Sequence, residues 1–564
     1  MDNRDPMHPQ VVWFKRDLRI HDHAPLLAAA ARGPVLPVYV VEPALWLQPD
    51  SSFRHWHFIQ SSLRDLQDAL RALGGALHVE RGEILEVLGR LKTRLGSFEL
   101  WSHEETGNAW TFERDRRVAS WCRAEGMSWH ELAANGVVRR LRNRDGWAAA
   151  RNAVMRAPIA PAPTPVRFST MANDETTHAQ SRAALEEPIS TLSPTGHVQA
   201  GGRREGFAVL ESFLQSRSSR YMRTISKPGI SARHCSRLSA HIAYGTLSVR
   251  EIDRAAAARQ ALLADEPNPG SADWARQLQA FRSRLAWRCH FVQKLEQQPE
   301  IEFRCMHPAF EGMRENEFRA DFFDAWCEGR TGYPLIDACM RSLQANGWIT
   351  FRMRALLVSF ASYHLWLDWR RTAPVLARLF TDYEPGIHYS QFQMQSGVTG
   401  INAVRMYNPV KQSIEHDPEG KFIRRYLPEL RDLADERFMP VSRRLSWGMV
   451  ALSCALATWL SVSWFAQKLG ALMGTGRLWV IVLPLAGVFL GYLCGVLVPW
   501  LTERHAMLRA NSQLGGNIRA RTDERVHDIE QLRKKVVEPA DEVRDLRLRH
   551  IAWQQTRRHC ERLL

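Results

Sequence analysis

The sequence predicts three parts: a doubly wound α/β domain at the N-terminus, an all-helical second domain, and a C-terminal transmembrane helical hairpin with a charged helical tail. Short β-rich runs alternate with helix-length segments in the first part, which is typical of a parallel sheet. Long helical periodicity, rich in Trp, Phe and Arg, predicts the second part. Two long uncharged stretches predict the hairpin. The predicted boundaries are 8–140, a linker at 141–205, 206–430, 431–502 and 503–564.

The N-terminal domain is predicted from apolar runs separated by helical segments. We expect strands at 11–14, 35–41, 77–80 and 98–101, and helices at 53–73 and 110–125. The domain has neither a GxGxxG motif nor a P-loop, so no phosphate motif signals a ligand at the strand ends. The prolines and the Ser, Thr and Gly residues that follow the domain predict a linker.

Composition limits the class of partner. The 564 residues are 45% apolar, enough for sizeable cores, and 75 Lys and Arg against 60 Asp and Glu give a net charge of +15. This charge favours a polyanionic partner, either nucleic acid or an anionic membrane surface. The nine cysteines form no CxxC pair and have no metal-ligand spacing, so we predict a reducing compartment and no metal site.

Two uncharged stretches predict the membrane hairpin. They span 445–467 and 478–502, which are 23 and 25 residues long, and a helix crosses ~30 Å of hydrocarbon at ~1.5 Å per residue. Tryptophans lie near the ends of both stretches, and the flanking arginines favour cytoplasmic termini. We therefore predict a multi-pass inner-membrane protein with its other domains on the cytoplasmic side. A pair of buried core helices is the alternative.

The tail at 503–564 carries apolar residues at heptad-like spacing, interrupted by Pro539. One hypothesis is a coiled coil that makes a homo-oligomer, and the alternative is a solvated pair of amphipathic helices.

The segment 331–430 mixes aromatic, basic and acidic residues most densely. Arg354 follows a helix-length aromatic segment, while Asp382 and Glu384 fall in the loop DYEPGIHYSQFQMQSG. An arginine and a carboxylate buried near an electron-poor ring can tune its charge and protonation, as a flavin requires. A structural ion pair is the alternative.

Four blocks carry a family resemblance. They are VVWFKRDLRIHDHAPL at 11–26, CSRLSAHIAYGTLSVR at 235–250, AWRCHF at 286–291, and the segment from TGYP at 331 to FIRRYLPEL at 430. In this order and spacing they resemble the cryptochrome/photolyase family over about residues 8 to 430. The resemblance implies an α/β antenna domain, an all-helical FAD-binding domain, and room for a second antenna chromophore of unknown type.

The resemblance also implies which residues bind FAD. Arg354, Asp382 and Glu384 match isoalloxazine-side contacts, whereas Tyr221 and 235–239 match phosphate-side contacts. The full predicted set is Tyr221, Cys235, Ser236, Arg237, Leu238, Ser239, Arg288, Arg354, Asp382, Tyr383, Glu384 and His388. Cys235 stands where the family usually has threonine.

The matching substrate or DNA positions are Arg284, Trp287, Phe351, Arg352 and Gln412. Arg284 replaces a glutamate that contacts the pyrimidine dimer in the family's repair enzymes. Phe351 replaces an asparagine or a catalytic histidine. The other three positions match, so DNA remains an expected partner.

The electron-transfer end of the site departs from the family pattern. His388 takes the position facing flavin N5, where it is either a proton donor to the flavin or a capped loop histidine. Trp369 is kept as an electron-transfer residue, but Phe392 and Asn316 replace the other two aromatic stations. Alternative routes would run through Trp326, Trp348 and Trp366, which are otherwise core residues.

These features support two functions. The first is a membrane-tethered blue-light photoreceptor with an unidentified signalling partner, favoured by the hairpin and by the changed substrate positions. The alternative is a light-dependent DNA photolyase that repairs UV-induced pyrimidine dimers, favoured by the net charge and by Arg352 and Gln412. A scaffold that has lost its flavin is a third hypothesis.

Overall fold

The computed structural model describes residues 8–189, 198–266, 268, 270–400 and 406–432. The predicted membrane spans at 445–467 and 478–502, and the tail at 503–564, lie outside these residues. Within the described part of the chain, no helix is both long enough and apolar enough to cross a membrane.

A five-stranded parallel sheet forms the centre of the N-terminal domain, in the order β3-β2-β1-β4-β5. Its strands are β1 (Gln10–Phe14), β2 (Val35–Val41), β3 (His78–Arg81), β4 (Glu99–His103) and β5 (Trp129–Leu132). The first two strands are buried along their whole length, as parallel strands covered on both faces must be. The four predicted strands are confirmed, and β5 was missed because its four residues are only half-buried.

Helices cover both faces of this sheet. They are α1 (Ala24–Ala30), α2 (Pro43–Trp46), α3 (Phe53–Ala72), α4 (Ile84–Leu95) and α5 (Ala109–Ala124). Both predicted helices are confirmed to within a residue or two, as α3 and α5. Apolar side chains from α3 and from β1 and β2 share one core cluster, while α4 packs in a second cluster on β1, β2 and β4.

The predicted linker contains ordered structure. Helix α6 (Trp147–Arg156) and helix α7 (Glu175–Glu186) both form within it. The Asp174 side chain caps α7 by accepting from the backbone N–H of Thr177, and Ser181 accepts a hydrogen bond from Val79 of β3 at 3.0 Å. These two helices were not predicted, because the segment is rich in proline, serine and threonine.

The second domain is all-helical, as predicted. Its helices are α8 (Arg203–Gln215), α9 (Tyr221–Thr224), α10 (Pro228–His234), α11 (Ser239–Ala243), α12 (Val249–Asp265), α13 (Ser271–Gln297), α14 (Ala320–Glu328), α15 (Pro334–Asn346), α16 (Phe351–Ser359), α17 (Trp369–Leu379), α18 (Pro385–Ser396), α19 (Pro409–His416) and α20 (Lys421–Tyr426). Helices α14 to α18 pack around one large apolar core, and α8, α9, α11, α12 and α13 around another. The loop from α17 to α18 and the helix α13 bring the predicted site residues together.

Candidate functional site

A buried ion pair joins the start of α16 to the loop before α18. Arg354 Nη2 donates to Asp382 Oδ2 at 2.8 Å, and Arg354 Nε donates to the carbonyl of Ile349 at 3.0 Å. Burial alone would raise the pKa of Asp382, but Arg354, a hydrogen bond with Ser239 and the charge of Arg237 lower it overall. The carboxylate is therefore ionised and fixed in place.

A second ion pair lies two residues along the same loop. Arg288 Nη2 on α13 donates to Glu384 Oε2 at 2.7 Å, and both side chains are largely buried. Arg16, which follows β1, donates to the Tyr383 carbonyl at 2.7 Å and to the Ala243 carbonyl at 2.9 Å. The loop is thus held by both domains.

Each of these two pairs leaves buried polar atoms without a partner. Asp382 Oδ1, Glu384 Oε1 and Arg288 Nη1 are buried and have no hydrogen-bond partner. Buried polar atoms are normally satisfied, so two acceptors and one donor in one place indicate a missing polar ligand. A flavin ring offers both N–H donors and carbonyl acceptors, so these residues fit the predicted cofactor.

The predicted phosphate-side residues form a continuous wall of the same site. Tyr221, Cys235 and Leu238 share one apolar cluster, in which Leu238 is fully buried. Burial raises the pKa of the Cys235 thiol to about 11, which keeps it protonated. Ser239 is the first residue of α11, and its hydrogen bond to Asp382 links this wall to the ion pair.

Arginines supply positive charge to this wall. Arg237 has a left-handed backbone conformation, with φ of 60°. Its guanidinium lies 4.2 Å from the Trp348 ring, and burial lowers its pKa to about 10. Arg217, which the sequence analysis missed, donates to the carbonyls of Cys235 and Ser236. The sequence offered one indication of Arg217, namely its position four residues before Tyr221.

His388 points into the protein rather than toward open space. Its Nε2 lies 2.9 Å from the Ala373 carbonyl of α17, and its ring packs against Phe380, Tyr383, Tyr389 and Phe392. Burial lowers the pKa of His388 to about 4. One ring nitrogen therefore contacts a carbonyl, and the ring is neutral at pH 7. This geometry does not favour His388 as a proton donor to the flavin.

This histidine predicts an acid sensitivity of folding. Its folded pKa lies below the unfolded value of about 6.5, so the unfolded chain binds the extra proton and stability falls as pH drops from about 6.5 to 4. His388→Gln keeps an N–H donor but cannot titrate. We expect the free energy of unfolding to fall less steeply in this variant, by up to about 1.4 kcal/mol per pH unit. An unchanged slope in urea titrations at pH 7, 6 and 5 would contradict the assignment.

Two of the three predicted electron-transfer positions lie in the large core, and the third lies on the surface. Trp369 begins α17 and is 1% exposed, Phe392 is 2% exposed, and Asn316 is exposed on the surface. Of the alternative tryptophans, Trp326 is fully buried, Trp366 stacks on Arg314 and Trp348 stacks on Arg237. Trp348 therefore contacts a residue of the predicted flavin site.

The predicted substrate residues include two exposed aromatic rings of the domain. Trp287 lies within α13 and is 52% exposed, and Phe351 begins α16 and is 51% exposed. Arg284 is also exposed, and Arg352 lies 5.4 Å over the Tyr407 ring. Gln412 is buried and donates to Glu415, which leaves its Oε1 without a partner. Exposed aromatic rings beside arginines suit nucleic acid.

A third buried group lies in the α/β domain. Asp17 Oδ2 lies 2.7 Å from His103 Nδ1 and 2.9 Å from His23 Nε2. The backbone N–H of Leu26 donates to His23 Nδ1, so the ring proton is assigned to Nε2, which faces the carboxylate. A metal ligand would have to lose that proton. We therefore interpret this group as a hydrogen-bonded network at the end of β1 and β4.

Comparisons with known proteins cover both domains. Residues 10–150 match a family model described as DNA photolyase, and residues 281–450 match one described as the FAD binding domain of DNA photolyase. A deoxyribodipyrimidine photo-lyase of Thermus thermophilus is 32% identical over 435 residues, which cover 75% of this chain and 93% of that protein. The deoxyribodipyrimidine photo-lyase of Escherichia coli is 27% identical, over 76% of this chain and 90% of that protein.

Solved structures agree on the fold. The archaeal photolyase from Sulfolobus tokodaii with two FAD molecules has a TM-score of 0.62 at 25% identity. The alignment covers 76% of this chain and 92% of that photolyase. The Synechocystis cryptochrome has a TM-score of 0.65 at 22% identity, with 79% and 95% covered. The second likeness shows the fold alone.

Proposed function

The chain belongs to the cryptochrome/photolyase family and has its FAD-binding domain, and we propose that it is a light-dependent photolyase that repairs UV-induced pyrimidine dimers in DNA. The observation that carries this proposal is the 32% identity to a deoxyribodipyrimidine photo-lyase over 93% of that protein's length. The exposed Trp287 and Phe351 add a surface on which bases can stack.

The flavin end of the site supports the proposal. When bound, FAD supplies the light absorption and the electron that such a repair reaction needs. Asp382 and Glu384 would accept hydrogen bonds from the ring through their free oxygens, and Arg288 would donate to it. Because Arg354 and Arg288 each hold a carboxylate in place, the ring would meet a preorganised polar frame.

The DNA end supports it through stacking and charge. A base stacked on an aromatic side chain contributes about 1–3 kcal/mol, and phosphates would be attracted by Arg284, Arg352 and the net charge of +15. Arg284 and Phe351 change the groups that face the substrate. The dimer would then be held by stacking and cations rather than by a carboxylate.

The membrane-tethered photoreceptor, our first hypothesis from the sequence, is less well supported. The relatives described above are named as photo-lyases, and the predicted spans lie outside the described residues. Attachment to the inner membrane through 445–502, with the two domains on the cytoplasmic side, stays a prediction. So do a homo-oligomer through the tail, a signalling partner, and a second chromophore, which the two FAD molecules of the Sulfolobus structure make worth seeking.

A repair assay tests the proposal. The full chain, purified in detergent with its flavin, is mixed with an oligonucleotide that carries one cyclobutane thymine dimer, and dimer loss is followed in blue light and in the dark. A second oligonucleotide with a (6–4) lesion identifies the dimer class. We expect light-dependent loss of one lesion and no dark reaction. Flavin photochemistry without loss of either lesion would contradict the proposal and favour the photoreceptor.

A further inference from the structure

A buried chain of hydrogen bonds leads from the flavin site into the α/β domain. Tyr383 lies between Asp382 and Glu384, and its hydroxyl donates to Asp50 Oδ2 at 2.6 Å. Tyr389 is hydrogen-bonded to Tyr383, and Asn108 Nδ2 donates to the same Asp50 oxygen at 2.9 Å. All four side chains of this hydrogen-bonded series are buried. The sequence analysis placed only Tyr383 in the site.

We propose that Tyr383 is an electron donor to the photoexcited flavin and that Asp50 accepts its phenolic proton. The proposal rests on flavin binding and not on the repair activity. One electron leaves the Tyr383 ring for the flavin, which is the oxidant. The phenolic O–H bond breaks, and the proton forms a new O–H bond at Asp50 Oδ2. A neutral tyrosyl radical remains, which an external thiol returns to the phenol by giving a hydrogen atom, while Asp50 releases its proton to water.

The carboxylate makes this oxidation feasible inside the protein. A phenol that loses an electron but keeps its proton leaves a positive charge in a medium of low dielectric, which is costly. Burial and the charge of Asp50 raise the pKa of Tyr383 well above its ordinary value, so the hydroxyl still carries its proton when light arrives. Asp50, at 2.6 Å, is placed to take that proton as the electron leaves.

The aromatic rings next to His388 favour Tyr383 over Phe392 as the electron donor. Phe392, whose ring lies 4.9 Å from that of His388, is difficult to oxidise, whereas Tyr383 lies 5.2 Å from the same histidine ring. Tyr383 is also adjacent in the chain to Asp382 and Glu384, the two carboxylates proposed to face the flavin.

The proton also has a way out. A cavity of about 90 Å³ borders Asp50 and Tyr383, with Arg16, Glu105 and Arg114 in its lining. This volume is large enough for several water molecules, and the polar lining residues offer them hydrogen-bond partners. A proton on Asp50 can therefore reach solvent without crossing an apolar core.

Photoreduction of the flavin-loaded full chain tests the relay without DNA. Blue light and a thiol are applied in H₂O and in D₂O, and the bleaching of the flavin absorbance is timed. We expect Tyr383→Phe and Asp50→Asn each to slow bleaching by at least about tenfold. The wild-type protein should bleach more slowly in D₂O, and Tyr383→Phe should lose that isotope effect. Tyr426→Phe, which removes a hydroxyl bonded to Asn346 outside the relay, should bleach at the wild-type rate.

Electron paramagnetic resonance of the illuminated wild-type protein keeps the test independent of any variant's folding. The radical signal should narrow when the protein is grown on ring-deuterated tyrosine. A signal that changes only with deuterated tryptophan, or wild-type bleaching by Tyr383→Phe, would overturn the proposal. No lesion is present in this test. The relay can therefore be disproved while repair activity is found, and repair activity can be absent while the relay is found.

Discussion

Replacing Asp382 by asparagine is expected to strip the protein of its flavin. The substitution keeps the size of the side chain but removes the negative charge that faces Arg354 and Arg237 in a buried site. Losing one partner of a buried ion pair costs about 3–5 kcal/mol, which corresponds to a loss of affinity of at least about 100-fold if it falls on the bound state. The flavin-to-protein absorbance ratio after purification, and the dissociation constant for added FAD, measure this loss.

Asp321→Asn provides the matched control for this variant. Asp321 also pairs with an arginine, Arg319, but both side chains are at least half exposed. An exposed ion pair contributes about 0–1 kcal/mol, so flavin content should not change. If Asp382→Asn retained stoichiometric FAD with the wild-type dissociation constant, Asp382 would be no more than a structural partner of Arg354.

Replacing Arg114 by methionine is expected to destabilise the α/β domain severely. Arg114 is 3% exposed and lies 2.9 Å from Glu42 and 2.8 Å from Asp115, with Glu105 also bonded to it. Without the guanidinium, the three buried carboxylates lose the cation that they share, and Lys15 remains paired with Asp115. We expect a loss of about 3–5 kcal/mol in the free energy of unfolding, measured by urea titration.

The pH dependence of this loss identifies its cause. Burial already raises the pKa of Glu42 to about 7 even though Arg114 opposes this shift, so removing Arg114 raises the pKa of Glu42 further. Protonation relieves the repulsion, so the deficit should be smaller at pH 5 than at pH 8. Arg116→Met, on the same helix with an exposed partner, should change stability by less than about 0.5 kcal/mol. A deficit independent of pH would point to lost packing instead of unpaired charge.

Local patterns predicted the fold well where they were strong. The runs that became β1 and β2 are apolar throughout, and α3 and α5 have clear helical periodicity. Where patterns were weak, prediction failed: β5 is four half-buried residues, and α7 lies in a serine- and threonine-rich segment where only its cap at Asp174 marked it.

The site was predictable in its residues but not in its contacts. Arg354 and Asp382 were named from the sequence, and the structure pairs them. No local pattern could place Asp50 against Tyr383, because 333 residues separate them and the contact depends on how the two domains pack. The orientation of His388 was equally hidden, since only the packing of α17 on α18 brings the Ala373 carbonyl to its ring.

Light-dependent loss of a defined pyrimidine dimer tests the central claim most directly. The wild-type full chain and the Asp382→Asn variant are given the same lesion-containing oligonucleotide, with excess FAD, under the same blue light. If the protein is a photolyase, the wild-type chain removes the dimer in light only, and the variant does so at a small fraction of that rate. An intact dimer after prolonged illumination of the flavin-loaded wild-type protein would contradict it.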